Sequence, residues 1–195
     1  MDLLDILTIV SVLIILIFII LYFNKKKYLD VDPYGKQSFL LTSEGLSSVE
    51  FRQKLINDVD QKHPNEKYVF IRASEFGQGT CTTIKNALDK GFKVTSISGP
   101  RVWSDTKQCI KNYMRDYPES FEYYILKERP RHQFTIIGNN IIIKVPHEYA
   151  DKTRTSLGII DAHPTLLTEF KFYFNKSLIE AKKVNIEEIE KLIEY

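Results

Sequence analysis

The segment Gly77-Gln78-Gly79 stands between a predicted strand and a predicted helix, a place where backbone N–H groups can bind an anion. The first N–H groups of a helix have no acceptor inside the helix, and the helix dipole favours negative charge there. The segment lacks the third glycine of a dinucleotide-binding fingerprint and the Gly-Lys-Ser/Thr of a P-loop. The preferred interpretation is therefore a flexible turn, and anion binding is the alternative.

Side chains that could hold a metal ion are present but poorly arranged. Asp161 and His163 resemble two ligands, but Asp161 and Thr165 also suit a turn that caps the next helix. The four histidines never occur three or four residues apart on one helix, and Cys81 and Cys109 lack the paired spacing of a zinc site. We expect no metal and no cofactor. Both cysteines are interpreted as small apolar thiols, which a reducing cytosol keeps reduced.

Alternating strand and helix patterns must position these residues. Short apolar runs predict strands, and apolar residues at helical spacing predict helices. The predicted strands are residues 68–73, 92–98, 121–126, 132–137, 140–145 and 157–160. The predicted helices are residues 47–62, 80–90, 105–117 and 165–182, and a last one that Asn185 caps. This order predicts one α/β domain, residues 47–195, with a mixed sheet and helices on both faces.

The N-terminal residues predict a membrane anchor. The eighteen residues from Ile6 to Phe23 carry no charge. As a helix they extend about 27 Å, close to the hydrocarbon thickness of a bilayer. A buried core helix normally keeps a polar face, and a cleaved signal peptide needs a basic start and a small-residue cleavage site. Residues 1–24 are therefore predicted to be a retained transmembrane anchor that precedes the α/β domain.

Charge predicts how this anchor is oriented. Lys25, Lys26 and Lys27 follow the apolar segment, and no basic residue precedes it. The positive-inside rule then predicts a single-pass membrane protein with its N-terminus outside and its C-terminal domain in the cytosol. Residues 25–46 are polar, contain Pro33 and two glycines, and are predicted to be a linker.

The net charge of the predicted cytosolic part is mildly positive. All 27 Lys and Arg lie beyond residue 24, and two of the 25 Asp and Glu lie before it, so the remainder carries +4. This balance favours an anionic membrane surface or a phosphate-bearing ligand. It is too small to predict nucleic-acid binding.

Three segments resemble the phospholipase D-like superfamily. Residues 69–98 resemble its opening βαβ unit, residues 131–145 its signature hairpin, and residues 157–178 its closing strand and helix. The resemblance covers roughly residues 66–182 without any long identical stretch. It implies a phospholipase D-like sandwich.

The active motif of that superfamily is degenerate in this chain. The motif is His-x-Lys, four residues, Asp, six residues, then Gly-Ser-x-Asn. The resemblance implies that His132 holds the nucleophile position, whereas the lysine position holds Phe134 and the aspartate position Asn139. The last four positions hold Pro146, His147, Glu148 and Tyr149. Only the histidine matches, and phosphoryl transfer depends on the charge and positioning that the missing groups supply.

Nearby side chains could compensate for the missing groups. Arg131 and Lys144 are the candidates for binding phosphate oxygens, and Asn139 and His147 are the candidates for supporting the site. The alternative is that Arg131 and Lys144 are solvated charges on an edge strand.

Two functions follow from these expectations. The first is a membrane-anchored binding or scaffolding protein whose phospholipase D-like domain no longer hydrolyses its ligand. The second is an atypical phosphodiesterase, a phospholipase or nuclease, that uses His132 and a dimer. The predicted partners are the lipid bilayer, an anionic headgroup or phosphodiester ligand, and a second copy of the chain.

Overall fold

A computed structural model describes residues 38–41, 48–144 and 156–194, which belong to the compact unit Gln37–Tyr195. The four helices in these residues are α1 (Ser48–Lys62), α2 (Gln78–Asp89), α3 (Ser104–Asp116) and α4 (Pro164–Glu180). Short 3-10 helices lie at Pro64–Glu66 and Ile186–Lys191. The longer strands are β1 (Ser38–Leu41), β2 (Tyr68–Arg72), β3 (Lys93–Ser98), β5 (Phe121–Ile125), β6 (Gln133–Ile137), β7 (Asn140–Lys144) and β8 (Ser156–Ile160). The two-residue strands are β4 (Arg101–Val102), β9 (Lys182–Lys183) and β10 (Ile193–Glu194).

Eight of the described strands form one mixed sheet in the order β1-β8-β7-β6-β2-β3-β5-β9. Strands β2, β3 and β5 run parallel to one another because α2 and α3 return the chain between them, and β9 pairs antiparallel with β5 at the edge. The pairs from β1 to β6, and the pair of β6 with β2, are antiparallel. The predicted mixed sheet is therefore confirmed.

Helices cover both faces of the sheet. The first three helices bury Phe51, Ile84 and Ile110 in the larger apolar core, together with one face of the central strands. On the other face, α4 places Phe174 against Phe134 and Ile136. Side chains alternate between the two faces along each strand, so the position of a residue in its strand decides which core it joins.

Two predictions about individual segments differ from the structure. Residues 38–41, which fall in the predicted linker, form β1 and pair with β8. Cys81 and Cys109, predicted as separate thiols, form a disulfide with 6.4 Å between their Cα atoms. The cysteine prediction is wrong because the packing of α2 beside α3 brings together two residues that are 28 positions apart.

The predicted anchor, Ile6 to Phe23, lies outside the described residues. Among the helices that the structure describes, none is long and apolar enough to cross a membrane.

Candidate functional site

A cavity of about 290 Å³ opens between α1, the start of α2, the start of α3 and one end of the β6–β8 strands. Its charged lining residues are Arg52, Arg72, Lys144, Glu75 and Asp105. Hydroxyl and amide groups from Thr80, Gln133, Thr135 and Ser156 also line it. The cavity therefore carries cationic groups from both a helix and the sheet, beside apolar residues such as Ile71 and Ile142.

Strand register sets a row of polar side chains along one side of the cavity. Gln133 of β6 lies directly opposite Lys144 of β7, and Lys144 lies directly opposite Ser156 of β8. Directly paired residues on neighbouring strands share a face of the sheet. This face is the one on which Ile137 and Ile142 join the core beneath α1, α2 and α3.

Arg52 is the most unusual group at this cavity. Its Nε atom is buried and has no hydrogen-bond partner among the described residues. Burial lowers the pKa of the guanidinium, because a charge is less stable away from water. A buried guanidinium N–H without an acceptor is costly, so the position favours an anion in the cavity.

The N-terminus of α2 adds hydrogen-bond donors. Gly77 precedes the helix in an extended conformation, and no side chain caps it. The backbone N–H groups of Thr80 and Cys81 both donate to the Gly77 carbonyl. The N–H groups of Gln78 and Gly79 lie in the first turn of the helix, so no backbone carbonyl of the helix can accept a hydrogen bond from them. They and the helix dipole make this end of the cavity attractive to negative charge.

A close approach between α1 and α2 requires the glycine at position 79. A Cβ atom built on Gly79 would lie 2.9 Å from Cγ2 of Val49 in α1. The small residue lets the first turn of α2 sit next to the helix that carries Arg52. The Gly77–Gly79 segment is therefore the N-terminus of α2, next to the helix that carries Arg52. The prediction of a flexible turn did not include this role.

Arg72 has a structural role at the edge of the cavity. Its Nε donates to Oγ of Ser177 in α4 at 2.8 Å, and its Nη1 donates to the backbone carbonyl of His132. Burial lowers the pKa of this guanidinium as well. These contacts tie the end of β2 to α4 and to the residue that precedes β6.

The structure separates several residues that the sequence analysis grouped. Lys144 lines the cavity. Arg131 and His132 are exposed just before β6, and neither lines this cavity. Asn139 is at the opposite end of the hairpin, where its amide donates to Asp161 at 2.9 Å. His147 lies outside the described residues, and the catalytic role of His132 stays a prediction.

Phe134, at the lysine position of the resemblance, belongs to the other face of the sheet. Its ring packs edge to face against Phe170 of α4, with 5.1 Å between ring centroids. Gln133, Phe134 and Thr135 all border the cavity. The alternation along β6 places the Gln133 and Thr135 side chains on the cavity side and the Phe134 ring on the α4 side.

Arg52 is not among the site residues predicted from the sequence, although its position carries a signal. Arg52 lies at i, i+3, i+4 and i+7 spacing with Leu55, Ile56 and Val59, all of which are buried. An arginine on the apolar face of a helix indicates a charge that is partly buried and needs a partner of opposite charge. Asp161 and His163, the suggested metal ligands, instead form a turn and a helix cap, since Nδ1 of His163 accepts from the Thr165 N–H at 3.3 Å.

No protein-family model matches this sequence, and no curated protein matches it by sequence. Solved structures do match the fold. The chain is similar to Nuc from Salmonella typhimurium, a phospholipase D family member, with 12% identity and a TM-score of 0.52 over 77% of this chain and 99% of the other. It is also similar to the phosphatidylserine synthase of Haemophilus influenzae Rd KW20, with 13% identity and a TM-score of 0.55 over 76% of this chain and 40% of the other.

A third similar structure is TrmBL2, described as an archaeal chromatin protein with a novel mode of DNA binding. It shares 14% identity and a TM-score of 0.52 over 93% of this chain and 69% of the other. At such low identity these likenesses bear on the fold and leave activity open. Together with the mixed sheet and its flanking helices, they show that the chain has a phospholipase D-like fold.

Proposed function

We propose that this chain is a membrane-anchored binding protein whose phospholipase D-like domain holds a phosphate-bearing ligand without hydrolysing it. The observation that carries the proposal is the buried, unpartnered Nε of Arg52 beside the first turn of α2. A phosphate ester would accept hydrogen bonds from Arg52 and from the helix N–H groups together.

The charge of the cavity lining is consistent with such a ligand. Lys144 adds a second cation from the opposite side, next to Gln133 and Ser156. Of the two carboxylates in the lining, Asp105 accepts a hydrogen bond from the Gln78 side chain at 2.9 Å. Arg72 bonds to Ser177 of α4 and to the His132 carbonyl. Arg52, whose Nε has no partner among the described residues, is the cation proposed to bind the ligand, and Lys144 adds positive charge to the lining.

The lining residues favour binding over turnover. No histidine or cysteine is present among the described residues that line the cavity. Within the described lining, the hydroxyls of Thr80, Thr135 and Ser156 therefore have no imidazole to act as a general base. A lining whose described part holds anion-binding groups and neither histidine nor cysteine suits a protein that recognises a phosphate ester.

The membrane part of the proposal rests on residues 6–23 and the three lysines that follow. We propose that they anchor the domain at the cytosolic face of a membrane. Alkaline carbonate extraction of membranes tests this. The full chain is expected to stay in the membrane pellet, and a variant lacking residues 1–24 is expected to be released. Release of the full chain would contradict the anchor.

Binding is tested with the full chain in detergent and glycerol 1-phosphate as the probe, by isothermal titration calorimetry. Arg52→Gln is expected to weaken binding at least about tenfold, because a charge-assisted hydrogen bond contributes about 1.5–3 kcal/mol. Lys54→Gln, an exposed lysine on the same helix, is the matched control and should bind normally. Equal affinity of the Arg52→Gln variant and the native chain would overturn the proposed site.

A fluorogenic phosphodiester tests the non-catalytic part of the proposal. The native chain is expected to show no hydrolysis above background. Hydrolysis that His132→Ala abolishes would instead establish the phosphodiesterase alternative and refute a purely binding role.

A further inference from the structure

A disulfide joins the two helices whose N-terminal ends form adjacent walls of the cavity. Cys81 lies in the first turn of α2, and Cys109 lies in the second turn of α3. Gly77, Gly79 and Thr80 line the cavity from the start of α2. Trp103 and Asp105 line it from the start of α3. The covalent bond therefore links both walls within about one helical turn of the cavity.

Two hydrogen bonds also join α2 to α3. The Gln78 side chain donates to Asp105 at 2.9 Å on the exposed side. The Tyr113 hydroxyl donates to the Cys81 carbonyl at 3.0 Å on the buried side. Each of these hydrogen bonds can break and re-form as side chains move. The disulfide is the strong constraint on the distance between the first turn of α2 and α3.

We propose that the redox state of the Cys81–Cys109 bond controls how tightly the cavity binds its phosphate-bearing ligand, an inference that rests on the proposed function. In the oxidised form the bond holds in place the first turn of α2, from which Gly79 and Thr80 line the cavity together with Arg52. Reduction releases the first turn of α2, so the ligand must then order it on binding. Affinity consequently falls, because pre-organisation lowers the entropic cost of binding.

The redox step needs a dithiol as the electron donor. The donor gives two electrons and two protons, the sulfur–sulfur bond breaks, and Cys81 and Cys109 become thiols. The donor is oxidised to its own disulfide in the same exchange. Oxidation by a small disulfide reverses the step and restores the bond.

The disulfide is placed where such a donor can reach it. Both cysteines line an open surface depression of about 590 Å³, with Gln53, Lys85 and Asp89 among its other residues. Cys81 is buried, whereas Cys109 is partly exposed. The depression is separate from the ligand cavity, so reduction does not require the ligand to leave first.

The proposed cytosolic location implies a regulatory role for the Cys81–Cys109 disulfide. Disulfides in a reducing cytosol are typically transient and take part in redox sensing. For a domain proposed to face the cytosol, the Cys81–Cys109 bond would therefore open and close with the thiol balance of the cell. Ligand binding would be strongest under oxidising conditions.

Titration of the full chain in detergent with glycerol 1-phosphate tests the inference. Reduction with dithiothreitol is expected to weaken binding at least about fivefold, the lower end of typical coupling between two sites. The Cys81→Ser/Cys109→Ser variant should bind as weakly as the reduced chain and should not respond to dithiothreitol. Absence of binding in the oxidised chain contradicts the proposed function, whereas equal binding in both states contradicts the redox control alone.

A second measurement needs no cysteine variant and covers the case in which that variant does not fold. Coupling between two sites is reciprocal, so a ligand that prefers the oxidised form must oppose reduction by the same factor. Saturating glycerol 1-phosphate should shift the equilibrium constant for reduction by dithiothreitol at least about fivefold toward the disulfide. Arg52→Gln should remove this shift, and Lys54→Gln should keep it. An equilibrium constant that the probe leaves unchanged in a chain that binds it would overturn the inference.

Discussion

The hydroxyls of Ser98 and Tyr123 lie 2.6 Å apart in a buried hydrogen bond between β3 and β5. The Ser98 hydroxyl is also within hydrogen-bond distance of the Gly99 carbonyl, at 2.9 Å. The Tyr123 ring packs edge to face on Phe76, with 5.4 Å between centroids. This pair joins the end of β3 to the middle of β5 beneath the loops that lead to α2 and α3.

Tyr123→Phe tests the contribution of this hydrogen bond. The substitution keeps the ring and removes one hydroxyl, so the free energy of unfolding in urea is expected to fall by about 1 kcal/mol. Tyr124→Phe, at a partly buried tyrosine one residue later, is the matched control and should have a smaller effect. A loss no greater than that of the control would show that the buried bond contributes little.

The same tyrosine predicts a loss of stability at high pH. Burial raises the pKa of Tyr123 far above its ordinary value. Between the unfolded and folded pKa values the folded chain keeps the proton that the unfolded chain releases. Stability is therefore complete below about pH 10 and falls as pH rises beyond it. Urea unfolding from pH 8 to pH 11 should show a shallower decline in stability for Tyr123→Phe. Some decline should remain, because burial also raises the pKa of Tyr113.

Asp60 predicts the opposite dependence in acid. Its carboxylate lies 2.6 Å from Nζ of Lys67 and 3.4 Å from Nζ of Lys90. The hydrogen bond from Lys67 is the main reason that the pKa of Asp60 is lowered. The stabilisation is present above the unfolded pKa of about 4 and is lost as pH falls through the folded value. Asp60→Asn should flatten the acid limb of the stability curve, whereas Asp58→Asn, in an exposed 3.8 Å ion pair with Lys62, should leave it nearly unchanged.

Two phenylalanines of α4 predict opposite outcomes. Phe174 is fully buried against the sheet, and Phe172 is 69% exposed. Phe174→Ala should lower the free energy of unfolding by about 3–5 kcal/mol, because it removes a large side chain and leaves a cavity. Phe172→Ala should change it by less than about 0.5 kcal/mol. A large loss for Phe172→Ala in the isolated monomer would contradict the orientation of α4.

Gly99 predicts a steric effect. A Cβ atom at this position would lie 2.4 Å from the carbonyl oxygen of Ser74. Gly99→Ala should therefore cost about 1–3 kcal/mol, as overpacking does. Gly91, whose φ of +76° lies in the left-handed region and whose surroundings are open, provides a control in which only backbone strain operates. Gly91→Ala should cost about 1–2 kcal/mol, and retained stability in Gly99→Ala would contradict the close approach of the two backbones.

The elements with strong periodicity could be predicted from the sequence. The predicted strand at residues 68–73 is β2 (Tyr68–Arg72), and the predicted helix at residues 105–117 is α3 (Ser104–Asp116). The edge strand β1 was not predicted because its residues lie in a polar segment, and its pairing with β8 depends on residues far along the chain. Strands of two residues, such as β9, are too short to produce a pattern.

The candidate site was less accessible to prediction. Arg52, Gly79 and Lys144 come from three separate segments, and only the packed fold brings them to one cavity. The hairpin was predicted correctly. Its residues, however, were compared with a motif by position alone, without asking to which face of the sheet each side chain points. That alternation separates Gln133 from Phe134 and directs them toward opposite sides of the sheet.

The antiparallel pairing of β1 with β8 has a mechanical consequence. Among the described strands, Ser38–Leu41 is an edge strand that is hydrogen-bonded to β8 alone. A pulling force applied at Ser38 therefore loads the four-residue pairing with β8 first. Detachment of β1 would lengthen the free chain by about 13 Å, at roughly 3.3 Å per residue, before the hydrogen bonds of any central strand are loaded.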